Sequence, residues 1–362
     1  MKALVVGGTG PTGPLVVAGL AERGYDVAIL HTGKHEADLP RRVEHIHGDP
    51  FSLGGLKEAL GSRAFDLVVG MYGRLRYLAR AARGKTARLI AAGGAPYAAF
   101  VYGEEKEGTS VPVLIREDAP LFSDEKRNKF TYLMTKSEEE VMAAHDEGSY
   151  NATILRFPMI YGPRQVAPRE WSIMRRILDG RRLLIIPDGG LKLERRGYAD
   201  NVAAALLLAV DKPAESAGQV YNVGDERVFS LKEWVERIAA VMGHQWELVS
   251  MPFAAARPAR PYGGRNFHWV TDIDKIRTGL GYRDPLPAEV GLERTVRWYL
   301  DHRPDAGGEI ERSLQDRFDY EGEDRLMEDY ARRLDGIRDV FDHGFRFLHG
   351  YAHPKKGHPR GA

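Results

Sequence analysis

Three glycines follow the first apolar run of the chain at intervals of three residues, Gly7, Gly10 and Gly13. The first lets the backbone turn out of a strand, the second admits a pyrophosphate, and the third allows a helix to pack closely. Amide groups at the start of that helix would hold the phosphates. The spacing therefore predicts a dinucleotide-binding turn. The residues assigned to it are Gly7, Thr9, Gly10, Pro11, Thr12 and Gly13.

The end of the second predicted strand carries His31, Thr32 and Lys34 but no acidic residue. A site for NAD usually has Asp or Glu there, which binds the ribose hydroxyls. The three residues present suit a 2′-phosphate instead, so the sequence favours NADP, with NAD as the alternative. After the third strand, Asp49 and Pro50 are expected to contact the adenine; alternatively, Asp49 caps the next helix.

Tyr132 and Lys136 stand four residues apart in a predicted helix. This spacing places both side chains on one helix face. An ammonium group beside a phenol lowers the pKa of the phenol and favours proton transfer near neutral pH. The pair is the predicted catalytic acid/base; the alternative is a solvated helix face with its tyrosine packed on the core.

Short apolar runs alternate with helical stretches over the first 160 residues. The predicted strands are Ala3–Val6, Asp26–Leu30, Val43–His47, Leu67–Val69, Arg88–Ala91 and Thr153–Phe157. The predicted helices between them are Pro14–Arg23, Leu53–Leu60, Arg74–Ala82 and Tyr132–Asp146. This alternation predicts an α/β fold with a Rossmann-type, doubly wound parallel sheet.

Regularity decreases beyond Gly162, which suggests a smaller α/β domain for the substrate. The expected division is a Rossmann domain at 1–165, with returning segments near 195–224, and a mainly substrate-binding domain at 166–302. A charged, helical C-terminal extension at 303–362 follows.

Composition narrows the class of protein. The 362 residues include 52 Lys and Arg against 51 Asp and Glu, so no strong field attracts nucleic acid or a membrane surface. The absence of cysteine excludes thiolate catalysis and Cys-ligated metal sites. His45 and His47 share a strand face without a carboxylate cluster nearby, and no metal site is predicted. We expect a cytoplasmic protein that acts on a small molecule.

Further motifs make the chain similar to the extended short-chain dehydrogenase/reductases, in their NAD-dependent epimerase/dehydratase branch, over about residues 1–302. The motifs are Gly7–Gly13, Gly48-Asp49, Tyr132 with Lys136, Leu155–Pro163, Gly197–Ala203, Tyr221–Gly224 and Gly291-Leu292. The resemblance implies that Tyr132 is the general acid/base and that Lys136 binds the nicotinamide ribose. It extends the cofactor site to Met71, Tyr72, Ala92, Gly93, Phe157 and Pro158.

The chain departs from this family after the fifth strand, where a Ser or Thr usually binds the substrate oxygen. No Ser or Thr occurs between Thr86 and Thr109. Stabilisation of an oxyanion would then come from backbone amides, from Tyr97 or Tyr102, or from the second domain.

Two further departures concern substrates. Nucleotide-sugar members have an Asn before the Tyr-Gly-Pro segment, which this chain lacks, and their diphosphate-binding Arg falls near Glu194 here. Both disfavour a nucleotide-sugar substrate. The predicted substrate contacts are Tyr97, Arg164, Arg195 and Arg196, the last two for an anionic group.

The resulting prediction is an NAD(P)-dependent oxidoreductase that transfers hydride between nicotinamide and a carbonyl or alcohol. Two alternatives stay open: a nucleotide-sugar epimerase or dehydratase, and a non-catalytic protein that senses dinucleotides or binds RNA. The resemblance leaves a homodimer as one option for the oligomeric state.

Overall fold

The computed structural model describes residues 1–33, 39, 42–71, 75–105 and 111–338. The predicted cofactor residues Lys34 and Tyr72 lie outside this part of the chain. The strands of the sheet are β1 (Lys2–Val6), β2 (Asp26–His31), β3 (Glu44–His47), β4 (Leu67–Met71), β5 (Arg88–Gly93), β6 (Asn151–Arg156) and, later in the chain, β11 (Gln219–Asn222). The other strands are β7 (Met159–Tyr161), β8 (Leu183–Pro187), β9 (Leu193–Glu194), β10 (Arg196–Tyr198), β12 (Phe229–Ser230) and β13 (Glu247–Met251).

Helices connect and cover these strands. Those of the first half are α1 (Gly13–Glu22), α2 (Leu53–Leu60), α3 (Leu75–Ala81), α4 (Ala98–Glu105), α5 (Lys129–Asp146) and α6 (Arg169–Leu178). Those of the second half are α7 (Ala199–Asp211), α8 (Pro213–Ser216), α9 (Leu231–Val241), α10 (Arg260–Gly263), α11 (Asp274–Gly279), α12 (Ala288–Asp301), α13 (Glu309–Leu314) and α14 (Tyr320–Arg338). None that the structure describes is long and apolar enough to cross a membrane.

Seven parallel strands form the central sheet in the order β11-β6-β5-β4-β1-β2-β3. β1 pairs with β2 on one side and β4 on the other, so the chain order reverses at β1. Ligands of such sheets bind in the crevice at this reversal, beyond the carboxyl ends of the strands. The glycine turn after β1 therefore opens into that crevice. The predicted fold class is confirmed.

Both faces of the sheet are covered by helices, which explains the unbroken apolar run of β1. Ala3, Leu4 and Val5 are fully buried. One face packs on α1 and α7 through residues such as Leu20 and Leu206. The other face packs on α2, α3 and α5. A parallel strand buried on both faces has no polar alternation, and β1 follows that rule.

The later chain adds three two-stranded ladders beside the sheet: β7 with β10, β8 with β13, and β9 with β12. The chain divides into two compact units, Met1–Phe318 and Asp319–Ala362. Sheet and ladders belong to the first unit.

The differences from the sequence-based expectation include two helices beside the crevice. The short helix α4 was not predicted. Helix α5 begins at Lys129 rather than Tyr132, because the Asn128 side chain caps it by accepting a hydrogen bond from the Thr131 amide at 3.0 Å. This earlier start adds most of a turn to the helix beside the crevice.

A buried ion pair joins α5 to the sheet. Arg156, the last residue of β6, donates to Glu138 of α5 at 2.7 Å, and both side chains are less than 10% exposed. Arg156 also donates to the Tyr97 hydroxyl at 2.7 Å and to the Glu117 carbonyl at 2.9 Å. One guanidinium thereby fixes the helix against the end of the strand.

Removing this guanidinium should destabilise the fold. In Arg156→Met the Glu138 carboxylate stays buried without its cation, and we expect the free energy of unfolding to fall by about 3–5 kcal/mol. Urea denaturation followed by circular dichroism measures it. The double variant Arg156→Met/Glu138→Leu should recover part of the loss. A single variant within about 1 kcal/mol of the parent would contradict the role given to the pair.

Candidate active site

A cavity of about 720 Å³ occupies the crevice at the carboxyl edge of the sheet. The glycine turn Gly7–Gly13 forms one wall, with Met71 from the end of β4. Phe157 and Pro158, directly after β6, lie on the same cavity. These are the elements that the sequence assigned to a cofactor.

A side chain at each of the three glycines of the turn would meet different surroundings. Gly7 has a φ of +96°, and a Cβ there would lie 2.9 Å from the Met71 carbonyl oxygen. A Cβ on Gly13 would lie 2.2 Å from the carbonyl of Gly8, so the turn closes on itself. Gly10 lines the cavity, and a Cβ there would meet nothing within 4 Å. Only at Gly10 does the missing side chain leave space for a ligand.

Helix α1 begins at Gly13, the last glycine of the turn. Its N-cap residue Thr12 makes no side-chain capping bond. First-turn amides of such a helix can bind an anion, and the helix dipole favours negative charge at this end.

The predicted cofactor residues that line the cavity are Gly7, Thr9, Gly10, Pro11, Thr12, Gly13, Met71, Phe157 and Pro158. Ala92 and Gly93 still belong to β5, with Ala92 fully buried, and Gly94 and Ala95 line the cavity in their place. His31 and Thr32 lie at the end of β2 and not on the cavity wall.

Asp49 and Pro50 lie after β3, also outside the cavity lining. The Asp49 carboxylate accepts a hydrogen bond from the Phe51 amide at 2.9 Å. Hydrogen bonds from the Ser52 side chain and this amide lower the pKa of Asp49. Ser52 in turn caps α2 by accepting from the Gly55 amide. In the structure Asp49 therefore supports the loop before α2, close to the alternative role considered for it.

The structure does not bring Tyr132 and Lys136 to this cavity. They meet as their spacing predicts, with the Lys136 ammonium 5.5 Å from the centre of the Tyr132 ring. However, they line a separate surface depression with Arg76, Arg80 and Glu140. Lys136 is 42% exposed and pairs with Glu139, whose hydrogen bond raises the pKa of Lys136.

The rotation of α5 explains this placement. Glu138 points at Arg156, and residues four and seven or eight positions earlier share its face of the helix. Those residues are Met134, Thr131 and Phe130, and all three line the cavity. Tyr132 lies on the other side of the helix, because six residues amount to about one and two-thirds turns.

The tyrosines considered as replacements for the absent Ser or Thr are also unsuited to give a proton. Tyr97 lines the cavity, but its hydroxyl donates to Asn222 at 2.6 Å and accepts from Arg156. Burial raises the pKa of Tyr97 to about 12. Tyr102 is 40% exposed and is not on the cavity wall.

An aromatic platform lies at another part of the cavity. The rings of Phe100 and Trp269 stack with centres 4.0 Å apart, and the Arg265 guanidinium lies 3.6 Å from the centre of the Trp269 ring. Arg265 also pairs with Glu104. The sequence analysis missed this platform, because Phe100 lies on α4, which was not predicted, and Trp269 reaches Phe100 only through tertiary packing.

A buried carboxylate, Glu194, also reaches the cavity. Burial raises its pKa, but Lys192, Arg196 and Arg265 outweigh that effect and hold the pKa of Glu194 well below its usual range. Lys192 contacts Glu194 at 3.2 Å, and burial lowers the pKa of Lys192 to about 8. The cavity thus presents an anion where the sequence comparison expected a diphosphate-binding Arg.

The predicted arginine contacts have other partners. Arg195 is buried and donates to the carbonyls of Thr271 and Asp225. Arg196 pairs with Glu194 at 3.1 Å and stacks on Trp234. Arg164 is exposed, and its neighbours Gln165 and Val166 line the cavity.

Residues 73–224 match the model of the NAD dependent epimerase/dehydratase family, which confirms the resemblance predicted from the sequence. A 3-diazoavenalumate denitrifying reductase from a Streptomyces species is 25% identical over 317 residues, covering 80% of this chain and 97% of that protein. The name of this relative specifies a reductase, which agrees with the oxidoreductase class predicted from the sequence.

Solved structures share the fold. A UDP-glucose 4-epimerase from Thermotoga maritima, solved with UDP-glucose, gives a TM-score of 0.67 at 20% identity, over 84% of this chain and all of that one. The dTDP-glucose 4,6-dehydratase of Streptomyces venezuelae, solved with NAD, gives a TM-score of 0.64 at 21% identity. The match covers 84% of this chain and 98% of that one.

Two glycine substitutions should separate ligand space from folding. Gly10→Ala adds a methyl that meets no protein atom but occupies the cavity, so we expect at least a tenfold weaker affinity for NADPH with unchanged stability. Gly13→Ala forces a methyl against the Gly8 carbonyl and should cost about 1–3 kcal/mol of stability.

Fluorescence titration of NADPH and urea denaturation measure the two effects. Gly54→Ala is the matched control, since a Cβ there meets nothing within 4 Å and Gly54 does not line the cavity. Unchanged NADPH affinity in Gly10→Ala would contradict the assignment of the turn.

Proposed function

We propose that the chain binds NADP(H) in the cavity and transfers hydride between the nicotinamide and a flat, largely apolar substrate. The observation that carries this proposal is the single cavity that joins the glycine turn to the Phe100–Trp269 platform. Bound NAD in a solved structure of the same fold supports the dinucleotide. Cavities of this volume are typical of small-molecule sites.

The apolar wall supports a nicotinamide beside the platform. Met71, Phe157 and Met134 are apolar residues of the same cavity lining as the glycine turn and the platform. Phe130 lines the cavity while its side chain is 70% exposed. A ligand that covers this ring would remove a large apolar surface from water.

The face of α5 toward the cavity limits the chemistry. Hydride addition to an ordinary ketone creates an alkoxide nearly as basic as hydroxide, which needs a proton donor at hand. Phe130 and Met134 carry no titratable group, and the hydroxyl of Thr131 is too weak an acid to replace a phenol. Substrates whose reduction needs no proton from a phenol side chain fit this cavity best.

Two classes of acceptor meet this condition. A quinone accepts hydride and leaves a phenolate, whose pKa near 10 allows water to supply the proton. An aryl diazonium carbon accepts hydride and releases dinitrogen, so no oxyanion forms. The second class is included because the name of one relative specifies a diazo substrate and a denitrifying reduction.

A panel of acceptors tests the substrate class. With NADPH in excess, we expect turnover of quinones and aryl diazonium ions at least a hundredfold faster than that of aliphatic ketones, judged by kcat/KM from NADPH absorbance. The reason is that Phe130, Thr131 and Met134 on the cavity face of α5 offer no phenol as a general acid, and general acid catalysis typically increases a rate by a factor of about 10²–10⁴. Comparable rates on aliphatic ketones would contradict the proposal.

Substitutions on the two faces of α5 test where the reaction occurs. We expect Tyr132→Phe and Lys136→Met to leave kcat/KM within about threefold, because neither side chain lines the cavity. Phe130→Ala should lower it about tenfold through lost apolar contact with the ligand. A decrease in kcat/KM by a factor of about 10² or more in Tyr132→Phe would instead identify Tyr132 as the general acid.

The expected cofactor preference rests on the described end of β2, where His31, Thr32 and Gly33 include no acidic residue that could bind the ribose. We expect NADPH to bind at least tenfold more tightly than NADH, a difference of about 1.4 kcal/mol. Calorimetric titration with both cofactors measures it. Thr32→Glu should reverse the order, with Thr32→Gln as the uncharged control; equal affinities in the parent would argue for NAD.

A second candidate, a dinucleotide sensor without catalysis, is favoured by the apolar residues Phe130 and Met134 on the cavity face of α5. It predicts NADPH binding with no turnover across the whole panel. A nucleotide-sugar substrate is disfavoured, because Glu194 stands near the position of the diphosphate-binding Arg and no Asn precedes the Tyr161-Gly162-Pro163 segment.

A further inference from the structure

Three histidines meet where β2 and β3 end. The strands pair in parallel with His31 opposite His47, and His45 lies two residues earlier on the same face of β3. Their coordinating nitrogens all lie within 4.8 Å of one another. His31 is buried, whereas His45 and His47 are exposed. The sequence showed only the pair on β3; the third member comes from the neighbouring strand.

The spacing of these nitrogens is close to that of metal ligands. Zinc–imidazole bonds of about 2.0–2.1 Å at tetrahedral angles place two ligand nitrogens roughly 3.3 Å apart. His31 Nε2 and His45 Nδ1 are 3.1 Å apart. The His31 and His47 rings are 4.9 Å apart at their centres, and one ligand nitrogen from each of the three rings lies within 4.8 Å of the other two.

We propose that His31, His45 and His47 bind one divalent transition-metal ion, with the fourth position open to water or another ligand. Imidazole suits zinc, copper, nickel and cobalt, whereas magnesium and calcium prefer oxygen ligands. Within the described residues this is the only group of three or more His, Asp or Glu side chains arranged closely enough to hold an ion.

The strands explain why such a site is well formed before any ion arrives. The backbones of all three histidines are fixed by the ladder between β2 and β3, and the buried His31 ring packs edge-on against the other two rings. Ligands that are already positioned lose little side-chain entropy on binding. None of the three histidines lines the cavity, but His31 adjoins Thr32, so the metal titration is made without cofactor to keep the two proposals distinguishable.

Metal titration of the full-length protein tests the proposal. After treatment with EDTA, the protein is titrated with Zn²⁺ against a chromogenic chelator, and Co²⁺ spectra report the coordination geometry. We expect each chain to bind one Zn²⁺ ion tightly, and the Co²⁺ form to show the visible absorption bands of a tetrahedral site with nitrogen ligands. His45→Gln and His47→Gln should each weaken Zn²⁺ binding at least tenfold, while circular dichroism shows an unchanged fold.

Two controls separate this site from other histidines. His302→Gln removes an exposed imidazole that stacks on Trp298, and it should leave the tight equivalent intact. A variant with glutamine at His343, His349, His353 and His358, which lie outside the described residues, should also retain it. Parent-like Zn²⁺ binding in His45→Gln and His47→Gln, or loss of the equivalent only in this last variant, would overturn the proposal.

Discussion

The ion pair between Arg156 and Glu138 determines which side of α5 faces the crevice. Both side chains are buried and joined at 2.7 Å, so rotating the helix would leave two charges without partners in the interior. The same guanidinium holds the Tyr97 hydroxyl. A buried ion pair that is not itself part of the cavity lining thereby selects the chemical groups of the cavity.

That selection shapes the proposed chemistry. With α5 held in this orientation, Phe130, Thr131 and Met134 line the cavity, and the Tyr132–Lys136 pair lies outside it. The glycine turn keeps its geometry for a pyrophosphate regardless of α5, since it depends on β1 and on close backbone contacts of Gly7 and Gly13. Dinucleotide binding and proton transfer are therefore separable properties of this fold. In the proposed function the chain binds the dinucleotide but has no phenol from α5 in the cavity to donate a proton.

Local patterns predicted the elements, and long-range contacts decided what the sequence left open. Gly7 and Gly13 make close contacts with nearby backbone, so the turn that contains them could be predicted from the spacing of the glycines alone. The spacing of Tyr132 and Lys136 predicted that the two side chains share one face of α5, but it could not predict which way that face points. The orientation of α5 depends on Arg156, eighteen residues beyond Glu138. The Asn128 cap was the local signal available for the earlier start of α5. Trp269 and Arg265 carried no such signal, since they reach the cavity only through tertiary packing.

A crystal structure of the chain with NADP⁺ tests the central claim most directly. The account predicts the pyrophosphate at Gly10 and the nicotinamide in contact with Phe157 and with Phe130 or Met134, while Tyr132 stays on the outer side of α5. A nicotinamide ribose bound to Lys136, with the Tyr132 hydroxyl at the reacting carbon, would contradict it.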